Sequence, residues 1–197
     1  MASKRAAIGF RGLALAPVTS NTLTSYVAGE GQALPYAGSM SRTVKENTTD
    51  LYYDDDLYAQ VRSIAGEDVE IRMAEVSLET MASLGLGEFD EETNTLEADF
   101  AVSGREYALR CAVDTVDGLP FYFNYRVFQL TGIRFDNFAT KGDSATVCEV
   151  IITGVFKRPV LPGLKPWAVM QLSEDRGNQA ACTAFLTAAE TKPEGGA

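Results

Sequence analysis

Few residues in this chain are of types that do chemistry. Gly142-Asp143-Ser144-Ala145-Thr146 has the outline of a nucleophile elbow. It lacks the closing glycine, and the chain contains no histidine to take the serine's proton. A turn at Lys141-Gly142-Asp143 leading into a strand is the simpler reading, and no spacing supports a Ser–Lys pair. Asp54-Asp55-Asp56 offers hard oxygen ligands for Mg²⁺ or Ca²⁺. Adjacent aspartates in a strand point to opposite faces, and no EF-hand spacing surrounds them, so a solvated acidic loop is expected. Gly29-Glu30-Gly31 and Gly85-Leu86-Gly87 do not continue into a dinucleotide fingerprint. Phe121, Tyr122, Phe123, Tyr125 and Phe128 could stack on sugars or bases, but their spacing is that of a strand and reads as cross-strand packing. Acids are plentiful, yet no motif singles out a glycosidase-type pair. Cys111, Cys148 and Cys182 lie far apart with no Cys-x-x-Cys, which fits reduced, buried thiols. The expectation is no cofactor, no metal and no catalysis.

Composition narrows the class further. The chain has 197 residues, 46% hydrophobic and 22% charged, enough to bury a core in one domain. Seventeen Lys and Arg against 27 Asp and Glu give a net charge of −10, which argues against a protein that wraps nucleic acid. The acids are concentrated. Asp50 to Asp99 holds fifteen acids and only Arg62 and Arg72, a net −13, whereas the rest of the chain carries +3. One region can therefore present a strongly negative surface. At the N-terminus, Lys4, Arg5 and Ala14-Leu15-Ala16 imitate a signal peptide, but Gly9, Arg11 and Gly12 interrupt its apolar stretch. No apolar run reaches the roughly 18–20 residues that a membrane-spanning helix needs.

Strands should position these residues. Tyr107, Leu109, Cys111 and Val113 alternate with Ala108, Arg110, Ala112 and Asp114. Asp117-Gly118 follows, then a second alternating run from Leu119, so a hairpin of about Glu106–Val116 and Leu119–Leu130 is predicted, closed by a type I′ turn. Ala145 to Phe156 is apolar on both faces and should be covered on both. Val69, Ile71 and Met73 alternate with Asp68, Glu70 and Arg72, which predicts one buried and one wet face. Ala7–Leu15 and Ser39–Glu46 are weaker strand candidates. Two helices are predicted. Ser77 caps the first, with stripe Leu78, Met81 and Ala82 and stop Gly85; Cys182, Phe185, Leu186 and Ala189 mark the second. Arg158 to Pro166 reads as a Pro-rich linker, and Lys192 to Ala197 as disordered. The class is mainly β, a sandwich or barrel with a flanking helix.

Four ordered blocks resemble the major tail protein (tail tube protein) family of long non-contractile-tailed bacteriophages. They are Ile8-Gly9-Phe10-Arg11-Gly12-Leu13; Leu51-Tyr52-Tyr53-Asp54-Asp55 with Tyr58; Asp68-Val69-Glu70-Ile71-Arg72 running to Leu78-Glu79 and Leu84-Gly85; and Phe138 to Ser144 leading into the strand that ends Phe156-Lys157-Arg158. Their order and spacing extend over about Ala7 to Met170. Gly29 to Tyr36 and the C-terminal arm depart from the pattern. The resemblance implies two packed antiparallel sheets with a short flanking α-helix. Together with the residue reading this gives a β-domain over 1–158 with a long arm at about 30–65, then a Pro-rich linker and C-terminal helical arm over 159–197. It implies a structural virion protein and no enzyme, in which hexameric rings stack into a tube that passes genomic DNA without specific binding. Its implied partners are further copies of itself, a tape-measure protein, a tail terminator and distal tail or baseplate proteins, with no membrane. Its place would be the virion, and the host cytoplasm during assembly.

On that reading Glu46, Asp68 and Glu70 are expected to face the lumen, where an acidic wall lets DNA slide. Tyr36, Tyr52, Tyr53, Asp54, Asp55, Asp56 and Tyr58 are expected on an arm that bridges subunits or rings, because tyrosines suit interfaces. Alternatives are another tail component, such as a terminator or a contractile-tail tube, and a carbohydrate-binding β-sandwich.

Overall fold

The computed structural model describes residues 7–34, 37–53, 56–74, 76–85, 87–97, 104–136, 149–173 and 177–193. In chain order the elements are β1 (Ala7–Asn21), β2 (Ser25–Ala28), β3 (Gln32–Leu34), β4 (Ala37–Tyr53), β5 (Asp56–Met73), α1 (Leu78–Ser83), β6 (Glu88–Asp90), β7 (Thr95–Glu97), β8 (Glu106–Thr115), β9 (Phe121–Asp136), β10 (Glu149–Phe156), β11 (Trp167–Gln171), α2 (Gln179–Thr187) and β12 (Glu190–Pro193). The fold is mainly β, as expected, with two short helices. Ten strands form one sheet in the order β12-β2-β1-β8-β9-β10-β5-β4, with β3 also on β1 and β11 also on β9. The β6–β7 hairpin stands apart.

The centre of the sheet is buried on both faces. Leu13 and Leu15 of β1, Tyr107, Leu109 and Cys111 of β8, and Phe128 and Leu130 of β9 fill the main core with Val69, Ile71 and Met73 of β5 and Val150 and Ile152 of β10. Alternate residues on the same strands, Ala16, Ala108 and Val127, fill a second core with Tyr26, Ala28 and Leu161. Strands covered on both sides read as continuous apolar runs. Ala14-Leu15-Ala16, which imitates a cleavage site, is a fully buried stretch of β1. Helix α1 closes the main core with Met81 and Leu84. Its cap is as predicted: Ser77 accepts from the Thr80 amide, and Gly85 leaves the helix at φ 72°. Tyr107 Oη donates to the Leu84 carbonyl at 2.7 Å and ties helix to sheet.

The structure departs from expectation at several places. The β8–β9 turn exists, but only Gly118 is left-handed (φ 73°), and its amide bonds the Thr115 carbonyl. The turn is therefore wider than type I′, which would need Asp117 left-handed as well. The segment from 158 to 166 is packed, with Leu161 buried and Arg126 N–H donating to the Pro166 carbonyl. The chain after it returns to the sheet: β11 pairs β9, α2 lies against β8, β9 and β1, and β12 pairs β2. Lys192 and Pro193 thus belong to a strand, while residues 194–197 lie outside the described residues. Ala189 lies beyond the end of α2.

Candidate assembly surfaces

The β4–β5 hairpin is much longer than the sheet it belongs to. β5 pairs β10 only from Glu67 to Met73. From Glu46↔Ile64 to Tyr53↔Asp56, β4 and β5 pair only with each other among the described residues. Eight residues at about 3.3 Å each give an arm of about 25 Å. β4 is also the last strand of the sheet, so its outer edge has no strand partner among the described residues. Ser41 to Glu46 and Thr48 to Asp50 are exposed one after another, on both faces.

The backbone brings part of the expected bridging set to one end of this arm. Tyr52 and Tyr53 end β4, while Asp56 and Tyr58 begin β5. Tyr36, Asp54 and Asp55 lie outside the described residues.

Asp68 and Glu70 share the wet face of β5, as the alternation predicts, opposite the buried Val69 and Ile71. Both are in ion pairs. Lys45 meets Asp68 at 2.9 Å, Glu70 meets Arg72 at 2.8 Å and Arg134 at 3.1 Å, and Arg72 also reaches Glu149 at 3.2 Å. The Glu70 and Glu149 hydrogen bonds raise the Arg72 pKa. Ile151 sits between Arg72 and Arg134 in register and is fully buried. Arginine stems can cover apolar surface in this way, which accounts for the second covered face of β10. The face is therefore nearly charge-balanced rather than acidic. Glu46 is exposed and lies just past a register shift that follows Lys45. The unbalanced acids are on the β6–β7 hairpin, where Glu88, Asp90, Glu91, Glu92 and Glu97 are all exposed. Glu88 and Glu97 are direct cross-strand partners there.

A pocket of about 230 Å³ opens at the base of the arm. It forms where β10 leaves β9 at Lys157 and β11 takes its place at Trp167. Arg42 crosses it from β4. Its Nε donates to Glu67 Oε2 at 2.7 Å and its Nη1 to Tyr125 Oη at 2.8 Å. The guanidinium lies over the Tyr125 ring at 5.0 Å and the Phe156 ring at 5.7 Å. Those rings stack on each other at 4.3 Å, continuing a ladder from Phe121 and Phe123. Phe121, Phe123, Tyr125 and Phe128 of β9 are thus packing residues, as their period indicates. Lys157 and Arg158 complete the rim. No sequence signal points to this pocket, because it is assembled from five separate stretches of the chain.

No group of three or more Cys, Asp or Glu among the described residues could hold a metal ion. Burial pushes the Cys111 thiol up to about 12, and it also raises that of Cys182, so neither is a reactive thiolate. Cys148 and the Gly142–Thr146 segment lie outside the described residues.

The chain matches no protein-family model and no curated protein. Among solved structures it is similar to the anti-feeding prophage cap (AFP tube terminating cap), with a TM-score of 0.43 and 9% identity over 77% of this chain and 90% of that one. A likeness of that size identifies no relative.

Proposed function

We propose that this chain is a structural protein of a bacteriophage tail, whose subunits close into hexameric rings that stack into the tube. The observation that carries the reading is β4. A 17-residue edge strand, exposed on both faces along much of its length, is a template for pairing with another chain. Proteins that stay monomeric blunt such edges, whereas assemblies use them for strand addition. When the contact is heterologous and the rotation closes, the product is a ring. The four tail-protein-like sequence blocks supply the identity of the assembly.

On this reading the chain has no catalytic role and binds no cofactor. The wet face of β5 with Asp68 and Glu70 faces the lumen, and its balanced charge leaves DNA free to pass, since no excess of cations holds the phosphates. The arm bridges subunits or rings. The tape-measure, terminator and distal tail proteins are its partners in the virion.

Negative-stain electron microscopy of the purified chain across a concentration series tests this. Hollow rings or tubes with six-fold end views are expected. Monomers at every concentration would overturn the reading, and rings with Asp68 and Glu70 on the outer wall would overturn the lumen assignment.

A further inference from the structure

We infer that the pocket at the base of the arm is the receptor for the tip of the β4–β5 hairpin of a second copy of this chain. The inference rests on the self-assembly reading above and names one of its contacts. The pocket is ringed by Arg42, Lys157, Arg158 and Trp167 over the Tyr125 and Phe156 rings. Glu67 offsets Arg42, but Lys157 and Arg158 are exposed and make no ion pair among the described residues. The site therefore carries an uncompensated charge of about +2. Trp167 is 52% exposed, although Trp and Arg are the residue types that most often dominate interfaces. At about 230 Å³ the cavity is smaller than the roughly 300–1,000 Å³ of a small-molecule site and suits an inserted side chain.

The hairpin tip has the complementary composition. Leu51-Tyr52-Tyr53-Asp54-Asp55-Asp56-Leu57-Tyr58 puts three acids among three tyrosines in eight residues. Tyrosine offers a flat ring for an aromatic and guanidinium pocket, and the aspartates match the two free cations. The tip cannot reach the pocket of its own chain. Gly66 and Glu67 line the pocket, whereas the tip lies about 25 Å farther along a paired, extended hairpin. The occupant must come from another subunit. Each subunit then gives an arm and receives one, a heterologous contact that repeats along an assembly.

Cross-linking of the full chain tests the contact. A 1:1 mixture of ¹⁴N- and ¹⁵N-labelled protein is treated with a carbodiimide, which joins Lys157 Nζ to a neighbouring carboxylate. Mixed-isotope peptides linking Lys157 to the Asp54–Asp56 segment are expected. K157E/R158E should weaken self-association about ten-fold by sedimentation, and adding D54K/D55K/D56K to that variant should restore the association. Circular dichroism checks that each variant folds. Rings that form without the link and are indifferent to K157E/R158E overturn the docking contact and leave the tube reading intact. A charge-swappable dimer that never closes into rings supports the contact and overturns the tube. A wild-type chain that stays monomeric overturns both.

Discussion

Glu190 holds the C-terminal strand to the sheet. Its carboxylate accepts from Arg126 at 3.0 Å and from Asn124 Nδ2 at 2.8 Å. Arg126 in turn donates to the Lys165 carbonyl at 2.7 Å, and its own carbonyl accepts from Tyr26 Oη at 2.6 Å. Arg110, almost fully buried, donates to the Ala188 carbonyl just past α2. These bonds join β2, β9, the 158–166 segment and β12. Glu190→Ala leaves the buried Arg126 and Asn124 without this acceptor, and a loss of about 3 kcal/mol is expected in urea unfolding. Glu190→Gln keeps the acceptor and should lose less. Burial also fixes a pH dependence. The folded state holds Cys111 neutral, with its pKa raised from 9.0 to about 12, and raises those of Tyr26, Tyr107 and Tyr125 for the same reason. The unfolded chain deprotonates first. The contribution from Cys111 is therefore complete below pH 9 and is lost as the pH rises from 9 to 12. Cys111→Ala should flatten that fall by about one proton, or about 1.4 kcal/mol per pH unit, in unfolding titrations.

At the scale of elements, Ser77 and Gly154 show what local geometry contributes. Ser77 accepts from Thr80 N at 3.1 Å at the start of a six-residue helix, so Ser77→Ala should cost about 1 kcal/mol. A methyl group on Gly154 would overlap the Phe128 ring and stand 2.6 Å from the Gln129 carbonyl. Both lie beside a register shift between β9 and β10, and Gly154→Ala should cost about 1–3 kcal/mol through overpacking. Thermal unfolding reads both. The elements legible in the sequence are those with one buried face and one wet one. Val69, Ile71 and Met73 announce β5, and Leu78 and Met81 announce α1, because burial selects apolar residues at the period of the element. The same logic hides the arm. Glu46, Thr48, Thr49 and Asp50 of β4 are all exposed, so this stretch carries no apolar period. β11 and β12 are short margins, and their place in the sheet depends on long-range pairing with β9 and β2. The type I′ expectation failed because Asp-Gly specifies one left-handed residue, Gly118, but not the width of the loop around it.

At the scale of the whole molecule, the sequence reveals the acidic excess but not where it falls. Asp68 and Glu70 meet cations from β4, β5 and β9, two of which are more than twenty residues away in the chain, while the acids of the hairpin at 88–97 make no ion pair among the described residues. The division between a folded body and a projecting arm is likewise a property of the assembled sheet. Of the residues between 46 and 64 whose burial is described, Thr48, Thr49, Asp50 and Gln60 are exposed and Ala59 is half-buried, and none of these belongs to either core. Body and arm should therefore separate cleanly. Glu46 and Ile64 are cross-strand partners, so residues 47–63 can be replaced by Asn-Gly, which closes two antiparallel strands with a two-residue turn. The shortened chain keeps β5 against β10 and every core residue among those described. Its melting temperature should stay within about 4 °C of the parent, the shift that roughly 1 kcal/mol produces in a domain of this size. Its assembly should fail, with monomers in the sedimentation profile at concentrations where the parent forms rings or tubes. If the shortened chain assembled like the parent, the arm would have no bridging role; if it unfolded, the arm would be part of the core.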